Sequence, residues 1–150
     1  MRTRTGFFIL FFILLVSGCN SEHSAQDIYM YTDDSLPPYI ENLEDIINTN
    51  GKLENKERFD EFFNSVQQGK DNRIRVVKYT IEGAPIISDY EFENEVISVT
   101  IDTRRDGYGQ GNIVYTTCTS IIVNEDNEKT SYELEDCRPS IGDNIILTIE

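Results

Sequence analysis

The sequence predicts an α+β fold in which two N-terminal helices pack on one face of an antiparallel sheet of about five to six strands. Two observations carry this. Apolar residues recur at helical spacing up to about residue 69, and from residue 71 the period drops to two and β-branched residues dominate. The strands then follow one another without intervening helices, which separates this pattern from an alternating α/β fold.

Tyr39, Ile40, Leu43, Ile46 and Ile47 have the spacing of a first helix over 39–49, with Asn50-Gly51 as its stop. A second helix follows at once. Asn55 is its N-cap, Glu57 sits in the first turn, Phe59, Phe62, Phe63 and Val66 form one apolar stripe, and Gly69 is the C′ residue. That stripe reads as core and not as a ligand pocket.

The first strand covers 73–81, the second 86–92 after a turn at 82–85, and the third 96–102 after a turn at 93–95. A long loop, 103–112, holds Gly107, Gly109 and Gly111. Residues 113–123 and 130–137 make the fourth and fifth strands, and 145–149 a short last one.

A two-residue turn at Asn127-Glu128 makes facing residue numbers in the fourth and fifth strands total 255, as 118 and 137 do. Cys118 then faces Cys137. The same register pairs Ile121 with Leu134 and Val123 with Tyr132 on one face, and Ser120 with Glu135 and Ile122 with Glu133 on the other. A structural disulfide is expected. Its rivals are a metal pair or a reactive thiol, yet no histidine or third cysteine lies in the domain.

Residues 1–18 stand apart from the domain. Arg2 and Arg4 precede a ten-residue apolar run, 7–16, which spans about 15 Å as a helix against a hydrocarbon core of about 30 Å. This is the pattern of a secretory signal peptide, not of a membrane span. Its exit, Val16-Ser17-Gly18-Cys19, resembles the bacterial lipobox. The resemblance implies cleavage before Cys19 and a thioether-linked diacylglycerol on its sulfur, two acyl chains being what stable anchoring requires. Residues 19–37 then form a polar tether ending at Pro37-Pro38, with an r.m.s. reach of about 20 to 25 Å. The domain proper is 38–150.

Cleavage removes two arginines and no acid, so 27 acidic side chains face 11 basic ones, a charge of −16. Nucleic acid is an unfavourable partner for such a surface. His23, the one histidine, lies in the tether, so the domain has no Ser-His or Cys-His nucleophile and no familiar zinc or haem ligand set. No cofactor is implied. Residues 102–107 begin like a calcium loop, but Arg104 and Ile113 stand where oxygen ligands belong. The acids of 124–128 leave a weak cation site as an alternative to a solvated hairpin tip.

Arg75 and Tyr79 point to the same face of the first strand, and the glycine-rich loop can bring Arg105 and Asp106 beside it, next to Asp102. Arg75, Tyr79, Asp102, Arg105 and Asp106 therefore form a candidate binding patch, with a structural ion-pair network as the alternative. Thr80, Glu82, Gly83 and Pro85 are accounted for by turn chemistry.

Asp45-Ile46-Ile47, Gly51, Arg58-Phe59-Asp60, the run from Arg73 to Ile86, and Asp102, Arg105, Asp106, Tyr108, Gly109 and Cys118 together resemble an uncharacterised family of small Bacillus-type lipoproteins, catalogued as a domain of unknown function. Ala84 stands where an acid is expected. The resemblance implies a lipid-anchored envelope protein of a Gram-positive cell and supplies no activity. The expectation is a non-enzymatic binding or interaction module held to the membrane by its N-terminal lipid. Its expected partners are proteins, peptides or envelope components of positive charge. The alternatives are a carboxylate-based hydrolase of envelope polymers and a weak surface calcium binder.

Overall fold

The computed structural model describes residues 36–126 and 128–149; the leader, Cys19 and the tether up to Ser35 lie outside the described residues. The elements run β1 (Ile46–Thr49), β2 (Lys52–Glu54), α1 (Lys56–Gln67), β3 (Asn72–Tyr79), β4 (Pro85–Glu93), β5 (Val96–Asp102), β6 (Ile113–Cys118), β7 (Ser120–Glu125), β8 (Thr130–Glu135) and β9 (Ile145–Ile149). They form a six-stranded sheet ordered β2-β1-β3-β4-β5-β6 and a separate three-stranded sheet ordered β7-β8-β9. The expected architecture of two helices on one antiparallel sheet is therefore incorrect. One helix is present among the described residues, the larger sheet is mixed, and the strands divide between two sheets.

The helix expected over 39–49 is the main error. Ile46 and Ile47 lie in β1, parallel to β3 and opposite Val76 and Val77. Both isoleucines are buried, on opposite faces of the sheet. A pair of adjacent buried β-branched residues mimics helical spacing when Tyr39, Ile40 and Leu43 precede it. Yet Ile40 is 86% and Leu43 94% exposed, so no helical apolar stripe exists. Asn50-Gly51 is likewise not a helix stop. With φ of 52° and 89° it turns a two-residue hairpin that sets Thr49 opposite Lys52, the type I′ geometry that Asn-Gly favours.

Helix α1 matches its expected bounds. Gly69 adopts the left-handed conformation (φ 66°), and the Gly69 N–H to Val66 and Lys70 N–H to Ser65 bonds, 3.1 and 2.9 Å, complete a Schellman close. Asn55 occupies the N-cap position, but its side chain does not cap the helix. Its Nδ2 donates instead to the carbonyls of Leu43 (3.0 Å) and Asp45 (2.7 Å), tying the helix start to the approach of β1.

The strand expected over 113–123 breaks at Thr119: β6 completes the large sheet and β7 begins the small one. The register across the break is nonetheless the expected one. Ile121 faces Leu134, Val123 faces Tyr132, and Thr117 exchanges backbone bonds of 3.2 and 2.8 Å with Arg138. Asp126 and Lys129 exchange theirs around the two-residue tip. Cys118 and Cys137 stand at bonding distance, S–S 2.12 Å and Cα–Cα 4.1 Å, at the corner where the chain changes sheet.

One face of the large sheet is sealed. Ile46, Ile74, Val76, Tyr90, Phe92, Ile97 and Val99 pack against Phe59 and Phe62 of α1 and against Ile121, Leu134, Ile146 and Leu147 of the small sheet. Tyr132 meets Phe59 and Phe63 edge-on, at centroid distances of 4.7 and 5.1 Å, the arrangement aromatic quadrupoles favour. Among the described residues no helix is long and apolar enough to cross a membrane.

Candidate functional site

The alternate residues of the same strands build the opposite face of the large sheet. Its upper half carries a small apolar cluster of Ile47, Val77 and Ile87, against which Tyr39 and Tyr79 pack. Tyr39 arrives on the segment that precedes β1. Its hydroxyl donates to Oδ2 of the buried Asp45, which also accepts the Asn42 N–H at 3.0 Å. Burial, then the bond to Asp45, holds the Tyr39 phenol well above its ordinary pKa. The segment is thus pinned as a strap across this half of the sheet.

At the strap's far end, Asp102 gathers both neighbouring arginines. Its Oδ1 accepts from Arg104 N–H (3.0 Å) and Nε (2.9 Å), and its Oδ2 from Arg104 Nη2 (2.8 Å) and Arg105 Nη1 (3.3 Å). Arg105 Nη2 also donates to the Pro37 carbonyl at 3.2 Å. The Arg104 bond, against a smaller opposing effect of burial, holds the Asp102 carboxyl below its ordinary pKa. Asp106 turns the loop by accepting the Tyr108 N–H (3.0 Å) and fills the space where a Cβ on Gly109 would stand.

The lower half of this face is bare and polar. A cleft of about 450 Å³ is walled by Asp45 of the strap, by Arg73, Arg75, Asp89 and Glu91 of β3 and β4, and by Ser98 and Thr100 of β5, with Arg58 at one end. Arg75 and Asp89 face each other across β3 and β4 and form a bidentate pair of 2.7 and 2.9 Å. The Asp89 bond raises the Arg75 pKa, and Asp45 adds a smaller attraction. Arg58 donates to the Asn72 side chain (2.7 Å) and to the Arg73 carbonyl, closing the edge of β3 where β1 has ended.

A family model described as Domain of unknown function (DUF4362) matches residues 43–133. The chain belongs to the DUF4362 family. The matched span runs from just before β1 into β8 and holds the cleft except for Asn42, together with Asp102, both loop arginines and Cys118; Cys137 and β9 lie beyond it. No curated protein and no solved structure matches the chain.

Within this DUF4362 domain Arg75, Tyr79 and Asp102 share one side of the sheet, but the five candidate residues do not form one patch. Asp102 and Arg105 meet, whereas Arg75 pairs with Asp89, Tyr79 joins the apolar cluster, and Asp106 shapes its own loop. Asp45, Asp89, Arg73 and Glu91 escaped the sequence reading. Arg75 faces Asp89 and Arg73 faces Glu91 because the chain turns over 80–84; the turn expected at 82–85 sets Arg75 opposite Phe92 instead, so the sequence reading did not bring these pairs together. Asp45 was hidden by the helix expected there. Among the described residues no group of three His, Cys, Asp or Glu side chains is placed to hold a metal ion.

Proposed function

We propose that this protein is a non-enzymatic binding module, anchored by lipid on Cys19 to the outer face of the cell membrane of a Gram-positive bacterium. The leader and lipobox-like sequence support the location. The observation that carries the binding role is the bare cleft, where carboxylates and guanidinium groups stand exposed above a rigid sheet while the opposite face is sealed by core. Rigid sheet positions present such groups with little loss of side-chain entropy on binding. The cleft holds charges of both signs, and the −16 of the cleaved chain favours a protein, peptide or envelope component of positive charge. Arg75 is the contact residue in this reading; Tyr79, Asp102, Arg105 and Asp106 position the strap and loop that frame it.

Two experiments test it. Mass spectrometry of native material is expected to find a diacylated N-terminal Cys19, and an intact leader would refute the location. Crosslinking from the native envelope is expected to capture a partner that is lost when Asp89 and Glu91 are changed together to alanine. Undiminished capture by that folded variant would remove the cleft from the function.

A further inference from the structure

The two edges of the large sheet are built differently. At one edge β2 is three residues long and carries Lys52 and Glu54, paired at 3.3 Å, the usual guard against a stray strand. At the other, β6 runs Ile-Val-Tyr-Thr-Thr-Cys, with no charge and no proline. The Thr103 N–H to Asn112 carbonyl bond, 2.9 Å, fixes which residues bond inward: the even-numbered ones turn to β5. Ile113, Tyr115 and Thr117 therefore direct their backbone groups outward. Arg138 already occupies Thr117 as the beginning of an added strand. Ile113 and Tyr115 have no backbone partner among the described residues, and the Tyr115 side chain is 64% exposed.

We infer that this open stretch of β6 receives an extended, positively charged peptide segment of another protein as an added strand. Backbone bonds at Ile113 and Tyr115 supply the register, and the apolar Ile113, Val114 and Tyr115 side chains supply neighbours for alternate residues of the guest. Charge selects the occupant. The two arginines beside the edge both pair with Asp102, and the −16 of the cleaved chain sets the long-range field. That field repels a second copy of the chain and draws in a basic segment. Tyr115 and Thr117 face Thr100 and Ser98, so the edge borders the cleft at the side away from Arg58, and its recognition rests on the outward backbone groups of β6 and not on the cleft's charges.

The test uses the full chain in detergent micelles and a probe peptide of about seven residues alternating valine or threonine with lysine. In the free chain the Ile113 and Tyr115 amides are expected to exchange with solvent far faster than Val114 and Thr116. Saturable binding should slow both by about tenfold or more, and N-methylation of alternate probe residues or replacement of lysine by glutamate should weaken binding by about tenfold. Tyr115→Pro, which removes an outward N–H where an edge tolerates proline, should weaken it similarly. The paired change of Arg73 and Arg75 to alanine should not. Protected amides in the free chain, no probe binding, an equal or tighter glutamate probe, or self-association through β6 would each overturn the inference. If Tyr115→Pro does not fold, the N-methylated probe on the unaltered chain decides.

Discussion

The two faces of the six-stranded sheet share every strand and differ in almost everything else. On one face Ile74, Val76, Tyr90, Phe92, Ile97 and Val99 disappear beneath α1 and the second sheet. On the other, the residues between them are Arg73, Arg75, Asp89, Glu91, Ser98 and Thr100, and the apolar cluster is only Ile47, Val77 and Ile87 beneath the strap. Stability is concentrated on the first face and presentation of charge on the second. Alternation along each strand allows both, because neighbouring side chains never compete for one side. The comparison implies a graded set of consequences, large where burial is complete and small where side chains remain in water.

The sealed face should fail most severely. Phe59 is fully buried and meets Phe63 and Tyr132. Phe59→Ala is expected to cost about 3 to 5 kcal/mol, read as a lower urea midpoint with an unchanged slope. An effect below about 1 kcal/mol would mean that α1 is not part of the cooperative core. The corner comes next. The Cys118–Cys137 bond closes a loop of separation 19, worth about 3 kcal/mol in the chain-entropy treatment. Reduction of the folded chain should lower its melting temperature, and the Cys118→Ser, Cys137→Ser double variant should be indifferent to reductant.

That corner also shows what was legible in the sequence. The register of β7 against β8 followed from one turn and one alternating pattern, because a slip by one residue would expose Ile121 and Leu134 together. The bounds of α1 were legible because its aromatic stripe and Gly69 agree. β1 was not. A four-residue strand whose two buried members, Ile46 and Ile47, are adjacent carries no alternation, and a parallel partner thirty residues away leaves no local trace. The break at Thr119 was hidden for a related reason, since a strand that changes sheet keeps its β-propensity through the bend. At the candidate site, the shared side of Arg75 and Tyr79 was legible from period two. What Asp102 does with Arg104 was not, because loop conformation decides which arginine reaches it.

The strap's anchor should give a smaller loss with a definite pH signature. The Asp102 side chain is 15% exposed and holds two arginines. Asp102→Asn is expected to cost about 2 kcal/mol, less than a fully buried pair because solvent still reaches the carboxylate. Its folded pKa lies below the unfolded value. The stabilisation is therefore complete above about pH 5 and lost as pH falls through the unfolded and then the folded pKa. Denaturation curves for the native chain and the variant should converge in acid. A constant gap down to about pH 2 would show that packing, not charge, holds the strap.

The smallest effect belongs to the bare face and tests the comparison most directly. Arg75 and Asp89 form a bidentate pair with good geometry, yet their side chains are 43% and 47% exposed. Solvent screening reduces such a pair to about 0.5 kcal/mol of coupling, so the double-mutant cycle of Arg75→Ala and Asp89→Ala should return a value near that, falling further in high salt. The same substitutions should weaken partner capture well beyond their effect on folding. A coupling above about 2 kcal/mol with capture unchanged would reverse the assignment. The pair would then belong to the framework of the sheet, and both faces would serve stability alone.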